Sequence, residues 1–443
     1  MAAVQHPFAI HNFRAYFLAR LSTTLAQMSM VIVIGWQVYD LARRTMDVKE
    51  AAFYLGLIGI AQFLPLLVLS LVAGWVADRV DRRWIARGSV AIEAGCAITL
   101  AVASYHEHVT LGLLFFVAAL LGVARAFAGP SLQALAPNLV PKAILPTAIA
   151  MSSVSWQAGT VLGPTMGGYL YAASHWLPYA VSGALFTFSF LMLSLIGRVP
   201  HNSVRGTANP FRQMLEGLSY VRQNRLVLGA ISLDLFAVLL GGATAMLPVY
   251  ARDILKVGAD GLGHLRAAPA VGAIAVALWF SWRPLRTNVG VKMLAAVAVF
   301  GGATVAFGLS APALLPLLGK SAVGHDSAPA VLLALTALFV LGAADMVSVY
   351  VRQSLIQLYT PDDMRGRVGA VSTLFISGSN ELGEAESGFL AAAIGPVAAV
   401  VAGGIGAILV TALWARIFPE LRRARTFEAP ATLEFTPVKE KAE

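Results

Sequence analysis

The sequence predicts an all-α integral membrane protein, with twelve transmembrane helices in two pseudo-symmetric six-helix halves. Three observations carry this. The 443 residues are 58% hydrophobic and 12% charged, with mean hydropathy +0.73, whereas soluble domains are roughly 45–50% apolar. The apolar residues fall into twelve runs: 16–41, 51–77, 84–104, 110–137, 144–172, 176–197, 226–251, 261–282, 290–316, 328–358, 366–393 and 395–418. About 20 apolar residues suffice for a helix to span a bilayer. The long joint 198–225 divides the runs six and six.

The elements follow in order. The N-terminal stretch "MAAVQHPFAIHNFRAYF" lacks the layout of a cleavable signal, so the first run reads as the insertion signal itself. The third run holds the single cysteine, Cys96, which excludes an intramolecular disulfide. The net charge of +9 follows topology. With the N-terminus inside, the inner joints hold Arg79, Arg82, Arg83, Lys142, Arg198, Arg205, Arg212, Arg222, Arg225, Arg283, Arg286, Arg365, Arg367 and the tail arginines. The outer joints hold Arg43, Arg44, Lys49, Arg252, Lys256, Arg266 and Lys320. This positive-inside bias puts both termini in the cytoplasm and leaves no basic surplus to assign to nucleic acid.

The expected domains are an N-terminal half (1–197), a cytoplasmic linker (198–225), a C-terminal half (226–418) and a cytoplasmic tail (419–443). In the linker, Phe211, Met214, Leu215, Leu218 and Val221 share one helical stripe, which predicts an amphipathic helix along the inner membrane surface. The polar tail carries Pro430 and Pro437 and reads as disordered. A shift of 220 positions brings Leu135 onto Leu355, Pro141 onto Pro361, Ser152 onto Ser372, Gly163 onto Gly383 and Gly168 onto Gly388. This fits parallel halves related by an axis along the membrane normal, and it sets Arg125 opposite Asp345.

Ionisable side chains at bilayer depth cost about 2.5–3.5 kcal/mol on insertion scales and usually face a protein or water-filled interior. Here they are Arg125 in the fourth run, Asp234 in the seventh, Asp345 and Arg352 in the tenth, and Glu381, Glu384 and Glu386 in the eleventh. Arg20 and Glu93 complete the set, and Glu93 reads as structural. Asp345 and Arg352 are two turns apart on one face, and Glu381 and Glu384 are neighbours on one face. Desolvation and like charge both favour a protonated carboxyl, which suits Asp234, Asp345, Glu381 and Glu384 to carrying a coupling proton, with Arg125 balancing them. The alternative for any one acid is to neutralise an arginine or bond a helix backbone; the grouping of Asp345, Glu381 and Glu384 with Arg125 favours function. Arg352, Gln27, Gln157 and Asn380 are candidates to line a central cavity.

The turn "GWVADRVDRR" concentrates charge in an apolar chain. With two further motifs it resembles the major facilitator superfamily, over nearly the whole length. Gly74, Asp78, Arg79, Arg82 and Arg83 match the family's signature between helices two and three, with Asp81 where the family commonly has Gly. Arg125 and Gly129 match its helix-four Arg-x-x-x-Gly, associated with proton-linked exchange. Gly159, Gly163, Pro164, Gly167 and Gly168 match the helix-five motif of its antiporters, which favours export. The resemblance further implies that Asp78 latches onto the start of helix eleven near Arg365–Val368, bridging the halves. Within the family, "QVYDL", "ALAPNLVP" and "SNELGEAESG" look most like the bacterial branch of the enterobactin exporter and macrolide efflux pumps.

Other motifs are weaker. "GKS" at Gly319–Ser321 lacks the first glycine of a phosphate loop, since position 314 is Leu314. His106 and His108 read as a solvated joint and not as a metal site. No cofactor, metal, nucleic-acid partner or enzymatic constellation is expected. The reading is a monomeric proton-coupled exporter in the bacterial inner membrane, carrying a small amphiphilic or hydrophobic compound such as a drug or siderophore. Uptake or lipid flipping on the same fold, and a non-transporting sensor, are its rivals.

Overall fold

The computed structural model describes residues 6–135, 138–141, 144–197, 210–283, 285–311, 328–361 and 364–427. The expectations for Lys142, Arg198, Arg205, Lys320 and the tail beyond residue 427 lie outside them. The chain opens with α1 (His11–Ala42), α2 (Val48–Arg79), α3 (Arg82–Tyr105), α4 (Leu111–Leu135), α5 (Leu145–Ala173) and α6 (Leu177–Leu195). The linker helix α7 (Pro210–Gln223) leads into α8 (Arg225–Leu240), α9 (Leu247–Val249), which runs on as a π turn over Tyr250–Ile254, and α10 (Gly258–Trp282). Then follow α11 (Val289–Gly308), α12 (Ala328–Leu358), α13 (Arg365–Ile394), α14 (Pro396–Ile417) and the short α15 (Pro419–Arg423).

Nine of these helices are long and apolar enough to cross a membrane among the described residues. With α5, α13 and the interrupted α8–α9 segment they make twelve. Leu64, Val68, Ile98, Val102, Phe116 and Leu409 are exposed around the bundle, an apolar surface that suits lipid. By contrast α1 is buried around its circumference, including Tyr16, Ala19, Met30, Val33, Ile34 and Tyr39, because α2, α5 and α6 surround it.

Helix ends follow local chemistry. Asp47 and Glu50 form a reciprocal capping box that starts α2. Asn224 accepts from the Val227 backbone and starts α8. Asp81, unexplained by the sequence, caps α3 by accepting from the Arg83 N–H at 3.0 Å. It also pairs with the Arg83 guanidinium at 2.5 Å, while Arg83 Nη1 donates to the Ile196 carbonyl.

The seventh run is not the continuous helix the hydropathy suggests. It breaks after Leu240 at Gly241–Gly242, and Pro248 then helps to restart it as α9. Gly242 sits against the Gly383 carbonyl and Ser387. The linker helix also differs in detail. Its buried face is Gly217, Tyr220 and Val221, while Leu215 and Leu218 are exposed. It packs on α13, with Glu216 on Arg367 at 2.8 Å, and turns through 103° into α8.

The two halves meet where α2 packs on α13 and α5 on α10. Gly168 and Gly388, mates under the 220-residue shift, occupy matching places in these contacts. A Cβ at Gly168 would stand 2.8 Å from the Gly263 Cα, and one at Gly388 would stand 2.5 Å from the Gly56 Cα. Both contacts lie towards the end of the bundle that carries the α1–α2 turn, and small residues let helix backbones close there. Gly159, Gly163 and Gly167 form a stripe that presses α5 onto Thr24, Leu25, Met28 and Ser29 of α1.

Gly388→Val is therefore expected to wedge this end open. A cysteine replacing buried Ala52, in a Cys96→Ser background, should resist a water-soluble maleimide and become labelled once Gly388→Val is added. Unchanged labelling would count against a glycine seal.

Candidate functional site

The buried charges sort into three clusters and one rim. The first bridges the halves. Arg125 of α4 places Nη2 3.1 Å from Glu381 Oε1 of α13, and both side chains are largely buried. Glu384, one turn further along α13, interacts electrostatically with Arg266 of α10. The order is thus Arg125, Glu381, Glu384, Arg266. Arg266 was expected in an outer joint, but the helix starts at Gly258 and carries it inside the span. The break after α8 explains what holds it: the Thr244 carbonyl lies outside regular helix and accepts from Arg266 Nη2 at 2.9 Å. Glu386 turns away and accepts from Ser387 at 3.4 Å.

The second cluster lies in the N-terminal half. Glu93 of α3 is fully buried, and its Oε1 accepts from Gln27 Nε2 of α1 at 2.5 Å. Gln27 is thus committed to Glu93. Gln157 and Asn380, two of the other cavity candidates, are exposed. Arg20 donates to the Tyr16 hydroxyl at 2.8 Å.

The third cluster lies in the C-terminal half. Asp234 of α8 is ion-paired with Arg352 of α12. Asp345, two turns before Arg352, shares with Asp234 and Ser348 a cavity of about 10 Å³, room for one water. The Ser348 hydroxyl has no hydrogen-bond partner among the described residues. Asp345 therefore belongs with Asp234 and Arg352, apart from Glu381 and Glu384, with which the sequence had grouped it. Helical spacing gives the face of each acid but not which neighbouring helix that face meets.

Of the rim, only Arg43 and Arg252 were named from the sequence, as charge of the outer joints. At the α1–α2 end, Asp40 of α1 and Arg43, which caps that helix, face Arg252 and Asp253 of the π turn. Arg43 Nη2 lies 3.0 Å from Asp253 Oδ1, and Arg252 Nη1 lies 2.9 Å from Asp40 Oδ1. The Tyr39 hydroxyl donates to Asp253 at 2.6 Å. Two reciprocal pairs thus tie the first half to the second. The π turn, a geometry common at functional sites, aims sequence-adjacent Arg252 and Asp253 at residues three apart at the end of α1. Burial raises the Asp253 carboxyl, but the bonds from Arg43 and Tyr39 and the charges of Arg43 and Arg252 prevail and hold it below its usual value.

Of the turn expected to latch the halves, the side chains of Gly74, Asp78 and Arg79 lie outside the described residues. Arg82 is partly buried, and Arg83 is bound within its own half by Asp81 and Ile196. Arg367, near the expected docking point, is held by Glu216. Gly159, Gly163 and Gly167 of α5 face α1 and Gly168 faces α10, with Pro164 inside the same helix.

The comparisons with known proteins agree on the fold. The family model described as Major Facilitator Superfamily matches residues 15–383. The enterobactin exporter EntS of Escherichia coli O127:H6 is 26% identical over 418 residues, covering 93% of each chain, and EntS of Shigella boydii serotype 18 is equally similar. Among solved structures, an inward-facing, unoccupied bacterial homolog of the human lysosomal transporter Spinster has a TM-score of 0.67 at 15% identity, covering 93% of this chain and 98% of its own. A D-xylose–proton symporter has a TM-score of 0.66 at 13% identity, covering 93% and 98%. This chain is a multi-pass membrane protein that belongs to the major facilitator superfamily of transporters.

Proposed function

We propose that the chain is a proton-coupled exporter of a small amphiphilic or hydrophobic organic compound, a drug or siderophore in class, working by alternating access. It would sit in the bacterial inner membrane with both termini cytoplasmic. The observation that carries the reading is the ion pair between Arg125 and Glu381, which joins opposite halves at a buried position. A group of that kind must be neutralised or re-paired whenever the halves move, and a proton does this at least cost. The glycine–proline spacing of α5 and the exporter relatives support the outward direction.

In this reading the rim of Asp40, Arg43, Arg252 and Asp253 is the outer gate, here shut. Partly exposed ion pairs contribute about 1 kcal/mol or less each. The gate is therefore a weak lock over a glycine seal, as a cycling transporter requires. It is also a poor proton sensor. The Asp253 carboxyl is held below its ordinary value, so its contribution is present above the unfolded value and is lost only as pH falls through the depressed one. A change between about pH 5 and 8 leaves it ionised, so in this reading the buried acids, and not the gate, are the candidates for the coupling proton.

Two tests follow. Inside-out vesicles with an acid lumen should accumulate an amphiphilic fluorescent probe, chosen from a sensitivity panel in a pump-deficient host. Asp345→Asn, Asp234→Asn, Glu381→Gln and Glu384→Gln should each be measured. At least one is expected to abolish gradient-driven accumulation while leaving gradient-free counterflow. Wild-type rates in all four would reject proton coupling through these acids. Probe loss from the vesicles would indicate uptake, and no substrate-dependent proton flux would indicate a sensor.

The gate has its own test. Asp40→Arg alone should raise maleimide labelling of a cysteine replacing buried Met246, and adding Arg252→Asp should lower it again. Labelling that stays high in the exchanged pair would remove the gate assignment.

A further inference from the structure

Arg125 is held by only one of its two terminal nitrogens. Nη2 meets Glu381, whereas Nη1 is buried with no hydrogen-bond partner among the described residues. Glu93 shows the same imbalance. Oε1 accepts from Gln27, and Oε2 is buried with no hydrogen-bond partner among the described residues. The two side chains interact electrostatically, and α3 packs directly on α4 within the N-terminal half. Glu381, by contrast, stands on α13 of the other half.

The consequence follows from which helices move together. If the halves part, Glu381 leaves with its own half, while Glu93 stays with Arg125. A guanidinium at that depth cannot be left without a counter-charge. We infer that Glu93 is the second seat of Arg125: the guanidinium passes from Glu381 to the free Oε2 of Glu93 as the halves separate, and returns as they close. Gln27, a neutral donor, holds the carboxylate in place without cancelling the charge that receives Arg125. Glu93 is thus a positioning residue of the transport cycle and not a packing acid. The inference rests on the alternating-access reading above.

The test places spin labels on cysteines replacing exposed Thr45 and Asp260, one in each half at the closed end, in a Cys96→Ser protein in lipid nanodiscs. Inter-label distance then reports the separated population. Glu381→Gln should raise that population several-fold, and Glu93→Gln should lower it several-fold. In an Arg125→Gln background, Glu93→Gln should change nothing, since its effect passes through the guanidinium. A shift of equal size without Arg125 would mean that Glu93 only packs, and no shift with Arg125 present would equally overturn the proposal. Should Glu93→Gln not fold, Glu93→Asp keeps the charge but shortens the reach, and a smaller shift of the same sign is expected. If the labels stay close in every variant, alternating access itself fails; if they separate without regard to Glu93, only this inference fails.

Discussion

The structure depends on one constraint: a charge held out of water needs a counter-charge close by. In this chain the counter-charge often lies on another helix. Arg125 on α4 faces Glu381 on α13 at 3.1 Å, and Glu384 on the same helix answers to Arg266 on α10. Asp234 on α8 pairs with Arg352 on α12. Breaking one partner of a buried pair leaves an uncompensated charge and costs about 3–5 kcal/mol. The pairs therefore do more than add stability. They fix which helices can move as a body and which contacts must be exchanged when the halves move.

The rest of the packing serves this arrangement. Glycines at the α2–α13 and α5–α10 contacts bring the two halves close enough for side chains to meet across them. The broken seventh span frees the Thr244 carbonyl to hold Arg266, and its π turn directs Arg252 and Asp253 to α1. Irregular backbone at these points is thus tied to charge placement. The rim pairs are weaker and partly exposed, and they close one end without committing the molecule to that state.

Much of this was legible in the sequence, for identifiable reasons. Hydropathy runs gave the spans, because a helix in lipid must be apolar along its length. The 220-residue shift paired Gly168 with Gly388, and both stand at contacts between the halves. The depth of Arg125, Asp234, Arg352, Glu381 and Glu384 followed from their runs. Which acid meets which base did not follow, since that depends on helix rotation and neighbours. Asp345 accordingly fell into the wrong group, and Arg266 was counted with the outer joint although its own apolar run, 261–282, contains it. Glu93 was read as structural because third helices in such bundles tend to lie outside the cavity, and nothing in its own run shows that Gln27 bonds it and Arg125 interacts with it. The rim was missed because a π turn has no sequence signature, although the facing Asp40–Arg43 and Arg252–Asp253 were visible as charge. Asp81 needed the start of α3 to be seen as its cap.

The most direct test of the charge constraint is the thermal stability of the purified protein in a double-mutant cycle at Arg125 and Glu381. Arg125→Gln and Glu381→Gln should each lower the melting temperature, the first because Glu381 is left buried without its base, the second because Arg125 loses its partner across the halves. The double variant, with both charges removed, should melt above either single variant. If the two losses simply add, the pair across the halves is not what neutralises these charges, and the account fails at its centre.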